Sequence, residues 1–196
     1  MNATFSCNDR NYEIARFGYL DPNEPYDMQW KAWSRIYEWH LALERAKALK
    51  PQTIHNTSAG LHYEAIGLLH GQFARELDKV AKTTHSDIEP YSGQVYYDIT
   101  KPYDGKFDLV LNISTIEHLP PHMNVLIIGN MLNQLQVGGS LIITCDYPNI
   151  DLGRIENFVG VKCKEAETRL SGFTSPAPDI VHAGLNIVYF EAQRLS

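Results

Sequence analysis

The sequence predicts an α/β protein built on a doubly wound, mostly parallel sheet, and three observations carry that prediction. Short β-rich runs alternate with helical stretches from about residue 50 onward, an order that joins parallel strands through crossover helices. The run SLIITC (140–145) is apolar without alternation, as suits a strand covered on both faces. The last run, 185–193, alternates apolar and polar residues and reads as a closing antiparallel strand with one face in the core.

The elements follow in order. The first 25 residues are polar and end in the turn-rich DPNEP (21–25). A helix is expected over 28–49, where Trp30, Trp33, Tyr37 and Leu41 recur at spacings of three and four and Pro51 supplies the stop. Thr53-Ile54-His55 begins the first strand. A helix over 63–80 places Ile66, Leu69, Phe73 and Leu77 on one face. A second strand lies near 83–86, a third over 94–97, ending at Asp98, and a fourth over KFDLVLN (106–112). The helix at 123–135 carries Val125, Ile128, Met131, Leu132 and Leu135. Gly138-Gly139 is expected to break the chain before SLIITC, and a short helix is expected over 151–158. The whole is read as one domain, 1–196, with 1–50 an N-terminal helical extension and cap and 51–196 the α/β core.

Composition excludes several classes. The chain has 196 residues, 17 Lys or Arg against 23 Asp or Glu, and a net charge of -6. That length buries a core without disulfides or a structural metal. An acidic chain without a basic block has no electrostatic footprint for nucleic acid. No apolar run reaches the roughly 18 residues that span a bilayer, and residues 1–10 lack the apolar segment of a secretory signal. A cytoplasmic protein with no membrane or nucleic-acid partner is the expectation. Three widely spaced cysteines, Cys7, Cys145 and Cys163, form neither a disulfide framework nor a CxxC knuckle.

In open α/β sheets ligands sit outside the carboxyl ends of the strands. The tips here are polar and acidic: Asn56 to Gly60, Asp87, Asp98-Ile99, Asn112 to His118, and Asp146-Tyr147. The same residue types serve turns and helix caps, so the pattern points to a crevice without naming a ligand.

Together these tips resemble the class I S-adenosylmethionine-dependent methyltransferases. FDLVLNISTIEHLPP (107–121) resembles that family's fourth strand and following loop, and LNQLQVGGSLIITCDYP (132–148) resembles its helix, Gly-Gly turn and fifth strand. YDITKPYDGKFD (97–108) resembles the segment whose acid meets the adenine amine. SRIYEW (34–39) is similar to helices that cap the cofactor in sugar and small-molecule methyltransferases. The resemblance implies a Rossmann-like fold, S-adenosylmethionine as cofactor, and transfer of its methyl to a small-molecule acceptor, a sugar or sugar derivative among them. It makes Asn56, Ser58, Gly60, Asp87, Asp98, Ile99, Asn112 and Ser114 the cofactor-binding candidates. Asp98 would accept from the adenine amine beside the Ile99 backbone, and Asp87 would hold the ribose, with a solvated turn as the alternative.

The chain departs from the family at the glycine-rich turn, where an acid followed by GxGxG is expected. Asn56 replaces the acid, Ser58 the first glycine and His62 the third, leaving Gly60. Gly60 to Asp87 is 27 positions, longer than the spacing of about 20 to the ribose acid in dinucleotide folds. The departures keep a second reading open: a methyltransferase-like domain without catalysis, acting as a binding or scaffold module.

Methyl transfer is an in-line displacement that orientation alone accelerates strongly, and a hydroxyl acceptor gains from a base. His118 is the first candidate base and Glu117 its orienting partner; the alternative has His118 capping the loop before Pro120-Pro121. His55, His62 and Tyr147 are the candidate acceptor contacts; His55 is expected to point at the crevice from the first strand, with the alternative that it simply satisfies neighbouring backbone groups. Arg35, Tyr37 and Trp39 are lid candidates on the leading helix, although Tyr and Trp at that spacing more often serve a core. Glu117, His118 and His122 do not make a metal site of the HExxH type, because prolines separate the histidines. A GxSxG elbow and a phosphate-binding GxxxxGK loop are absent.

Overall fold

The computed structural model describes residues 33–61, 70–147, 154, 157, 164–166 and 186–194. Seven strands form one sheet: β1 Thr53–Thr57, β2 Lys82–Asp87, β3 Val95–Tyr96, β4 Phe107–Ile113, β5 Leu135–Tyr147, β6 Lys164–Ala166 and β7 Asn186–Gln193. Their order across the sheet is β3-β2-β1-β4-β5-β7-β6. The β3, β2, β1, β4 and β5 neighbours are all parallel, and β7 runs antiparallel to both β5 and β6. The predicted doubly wound sheet with an antiparallel C-terminal strand is the observed one. The order reverses at β1 and β4, and that reversal opens a crevice between their carboxyl ends.

Helices α1 Trp33–Leu49 and α2 His70–Val80 cover one face, and α3 Asn124–Leu132 lies on the other. On α1, Trp39, Ala42, Leu43 and Ala46 recur at helical spacing and pack with Phe73 and Leu77 of α2 on Ile54, Leu109, Leu111 and Ile142. On α3, Ile127, Ile128 and Met131 pack against Val110, Leu141, Ile143 and Phe190. Strands β4, β5 and β7 therefore feed both cores by alternation. No helix among the described residues is long and apolar enough to cross a membrane.

Several expected boundaries move. The parts of the predicted first and second helices at 28–32 and 63–69 lie outside the described residues, as does most of the helix expected over 151–158. The helix expected to run to Leu135 stops at Leu132, because Leu135 is the first residue of β5 and pairs with Phe107. An apolar leucine satisfies either environment, so helical periodicity overran the end.

Gly138-Gly139 bends β5 without breaking it. The β4–β5 register shifts between Phe107 and Leu109, which face Leu135 and Ser140. Gly138 takes φ +85° in that bulge, and a Cβ on residue 139 would lie 3.0 Å from the carbonyl oxygens of Gln136 and Phe107. Strand β6 had no counterpart in the sequence reading.

One polar clip ties α1 to β7 on the same face of the sheet. Arg45 donates from Nε and Nη2 to both Glu191 oxygens at 2.8 and 2.7 Å, and the Tyr189 hydroxyl donates to Glu191 Oε2 at 2.6 Å. A bidentate, half-buried pair holds better than an exposed one. Glu191→Gln is expected to cost about 1 kcal/mol, read as a lower urea midpoint at unchanged slope.

Candidate functional site

Strand β1 ends in a turn whose backbone is left-handed at Ser58 (φ 55°) and at Gly60 (φ 64°). Glycine adopts that conformation freely, whereas an L side chain costs about 1–2 kcal/mol there. Ser58 thus keeps the glycine geometry while bearing a side chain. Relief of this strain, less the entropy of a new glycine, gives Ser58→Gly an expected gain of about 0.5–1 kcal/mol in thermal unfolding.

Asp87 fastens the same turn from the end of β2. Its Oδ2 accepts the Gly60 N–H at 2.8 Å and its Oδ1 accepts the Glu89 N–H at 3.1 Å. The Ala59 N–H donates to the Ser86 carbonyl at 2.9 Å. A buried carboxylate in this position fixes both neighbouring strand tips and faces the crevice between them.

That crevice is a cavity of about 310 Å³. Asn56, Ser58 and Gly60 line it from β1, Asp87 to Glu89 from β2, and Ile113 to Thr115 with His118 from β4. Trp39 of α1 and His70 and Phe73 of α2 wall it on the helical side. Trp39 stacks on Phe73 with ring centroids 5.6 Å apart and meets His70 edge-on at 5.1 Å. The volume falls within the range of small-molecule pockets.

The structure thus brings Asn56, Ser58, Gly60, Asp87, Ser114 and His118 together around one space. Ser114 is left-handed (φ 44°), and its hydroxyl donates to Glu38 Oε1 at 2.6 Å. His118 is exposed at the rim, in the turn Ile116–His118, while Glu117 beside it is buried and does not line the cavity.

Other candidates stand behind or apart from the cavity. Asn112 is fully buried and donates to the Thr57 hydroxyl at 3.0 Å, so it braces the turn from inside the sheet. Asp98 does not line the cavity; its Oδ1 accepts both the Thr100 N–H at 2.9 Å and the Thr100 hydroxyl at 2.7 Å. Those two bonds hold its carboxyl below the usual range. Ile99 is in the core, and its carbonyl accepts from Asn130 at 3.2 Å. The side chains of Arg35, Tyr37 and Tyr147, and all of His62, lie outside what is described.

The expectation for His55 is corrected. It sits on the opposite face from Asn56, fully buried and ringed by Tyr97, Tyr103 and Phe107. Consecutive strand residues point to opposite faces, so His55 and Asn56 cannot both face the crevice. Its Nδ1 donates to Gln134 Oε1 at 2.6 Å, its Nε2 accepts from Ser86 Oγ at 2.7 Å, and Gln134 donates onward to the Tyr97 hydroxyl at 2.8 Å. Burial pushes this imidazole down to about 4 and the Tyr97 phenol up to about 12.

Sequence reasoning missed Phe73, His70 and Ile88 as cavity residues. Phe73 belongs to a helical apolar stripe, which reads the same whether its end faces a core or a cavity. Among the described residues no three His, Cys, Asp or Glu side chains are grouped to hold a metal ion.

The fold is matched in solved methyltransferase structures. The N-methyltransferase NodS from Bradyrhizobium japonicum is similar with a TM-score of 0.58 over 90% of this chain and 100% of its own, at 14% identity. The chain has the class I methyltransferase fold. TehB from Haemophilus influenzae is similar with a TM-score of 0.56 at 13% identity, covering 79% of this chain and 62% of TehB. Magnesium protoporphyrin IX methyltransferase from Synechocystis, solved with bound SAM, is similar with a TM-score of 0.54 at 16% identity, covering 99% of this chain and 100% of that one. No protein-family model matches the chain, and no curated protein matches it. At these identities the likeness is one of fold.

Proposed function

We propose that the protein binds S-adenosylmethionine in the cavity between the β1, β2 and β4 tips and transfers its methyl group to a small-molecule acceptor. The observation that carries this reading is the Asp87 carboxylate, buried, facing the cavity and bonded to the β1 turn. A carboxylate oxygen accepts more than one hydrogen bond, so Asp87 keeps capacity for the two hydroxyls of a ribose. The turn retains the left-handed backbone of a glycine loop despite Ser58, and the cavity stays open above it. The residues present therefore fit a nucleoside bearing an amino-acid tail.

The cofactor, when bound, supplies an electrophilic methyl on a sulfonium. The chain's own contribution is to orient and enclose. Trp39 and Phe73 give the cavity an apolar wall that excludes water. His118, exposed at the mouth, is positioned to take a proton from an acceptor entering from solvent. Asp98 follows β3 outside the lining of the cavity, where an adenine extending past Asp87 and Glu89 would present its amine. Solved neighbours include an N-methyltransferase and a magnesium protoporphyrin IX methyltransferase, which supports methyl transfer without selecting an acceptor. A sugar acceptor finds no support among the cavity residues.

The deciding experiment is a thermal melt with and without S-adenosylhomocysteine. A ligand at a hundred times its Kd stabilises by about 2.7 kcal/mol, which raises Tm by at least ~5 °C in a chain of this size. An unchanged Tm at millimolar ligand would favour the non-catalytic scaffold reading.

A further inference from the structure

The residue at the end of β1 that faces the cavity is an asparagine, and its amide is held from behind. Asn56 and His85 are direct partners in the parallel β1–β2 ladder, so their side chains share a face. Asn56 Nδ2 lies 3.1 Å from His85 Nδ1, and His85 Nε2 lies 3.1 Å from Asp78 Oδ1 on α2. Asp78 can only accept, so the His85 proton sits on Nε2. Nδ1 is then an acceptor, and the Asn56 amide N–H donates a hydrogen bond to it. Turning that nitrogen toward His85 turns the carbonyl oxygen away from it, on a residue that lines the cavity.

We propose that His85 and Asp78 are positioning residues for the cavity: they fix the Asn56 carboxamide with its oxygen toward the ligand, and protonation of His85 reverses it. A doubly protonated imidazole donates from both nitrogens. Nδ1–H then needs an acceptor, which Asn56 supplies only by turning its oxygen toward His85 and its NH₂ toward the cavity. A wall that received a ligand's ammonium or hydroxyl becomes one that repels it. This inference rests on the cofactor reading above, because the ligand concerned carries an ammonium and hydroxyl donors. An asparagine with a titratable backstop thereby links ligand affinity to pH.

Other charged and titratable groups surround this pair. Asp78 is the carboxylate that faces His85 from α2, where Glu76 and Lys79 pair with each other at 2.6 Å. His55 is the titratable neighbour on β1, on the other face of the sheet, and a charge on His85 opposes one on His55. Asp87 lies two residues on along β2. His70 and His118 line the cavity itself. The test must therefore separate His85 from the other histidines.

Calorimetric titration of S-adenosylhomocysteine into the full chain between pH 8 and 5.5 does so, in a window above the titration of buried His55. The wild type is expected to lose about tenfold or more in affinity toward pH 5.5, the scale of one charge-assisted hydrogen bond. His85→Asn places an amide oxygen where Nδ1 stood and does not titrate. It should keep the affinity seen at pH 8 and show a flat profile. His85→Leu, which offers no acceptor, should bind weakly across the range, and Asp78→Asn should lie between. Nitrogen-15 spectra of the imidazole at pH 8 should show the proton on Nε2.

A pH-independent wild type, an unchanged pH dependence in His85→Asn, or a proton on Nδ1 at pH 8 would each overturn the positioning role and leave the cofactor reading standing. Absence of binding at every pH would remove the cofactor reading and this inference with it.

Discussion

Asp87→Ala is expected to raise the Kd for S-adenosylhomocysteine at least a hundredfold and to erase the ligand-induced rise in Tm. Two contributions add at this one carboxylate. Toward the ligand, two ribose hydroxyls lose a charged acceptor, each bond contributing about 1.5–3 kcal/mol. Toward the protein, the Gly60 N–H loses its partner at 2.8 Å. A buried donor left unsatisfied costs about 1–3 kcal/mol, so the variant should also unfold earlier in urea without ligand. Asp87→Asn separates the two. Its carboxamide oxygen can still accept from Gly60 while the Glu89 N–H loses its acceptor, so folding should suffer less than in the alanine variant, and the loss of charge and of one acceptor still weakens binding. Wild-type affinity in both variants would show that Asp87 serves the turn alone.

Acidification from pH 6.5 to 4 is expected to remove about 3 kcal/mol of stability through His55 alone. The sign follows from burial. The imidazole ordinarily titrates at 6.5, and the folded environment holds it neutral down to about 4. The unfolded chain therefore binds the proton first, over that whole interval. The stabilisation is complete above pH 6.5 and is lost progressively as pH falls to 4.

The rings of Tyr97, Tyr103 and Phe107 around His55 provide no charge to compensate a cation. Asp98, held below the usual carboxyl range by Thr100, adds a separate loss at lower pH, below about 3.8. Urea unfolding at half-unit steps of pH should show the slope between 6.5 and 4, and His55→Gln should flatten it while starting from a lower value at pH 7. A wild-type slope retained in that variant would assign the acid sensitivity elsewhere.

The contrast between Asp87 and His55 shows how much was legible in the sequence. Both follow from position on a strand. Asp87 ends a strand, where the open-sheet rule places ligand contacts, and the structure puts it on the cavity. His55 lies one residue before Asn56 inside the strand, and alternation sends it to the other face, into a cluster assembled from Phe107 of β4 and from Tyr97 and Tyr103 of the segment before it. Nothing local distinguishes a histidine facing a crevice from one facing a core. The difference is which helix covers that face, and helix docking is a long-range event. Trp39 lies on the leading helix at a spacing that suits core or lid, and it packs in the core while lining the cavity, whereas Phe73 was concealed within a core stripe. Glu38, buried against Ser114, carried no sign of its burial, since glutamate usually marks a solvated face.

Taken alone, the amino-acid order determined the alternation of strand and helix, hence a parallel sheet with an antiparallel closing strand and a crevice at the strand tips. It did so because hydrophobic period and crossover handedness are local or nearest-neighbour constraints. Only the tertiary structure decided which polar groups meet across strands. The Asp78–His85–Asn56 chain, the Gly60–Asp87 bond and the His55–Gln134–Tyr97 network each join distant segments. Their geometry depends on strand register and helix docking, which are settled by packing two cores against one sheet at once.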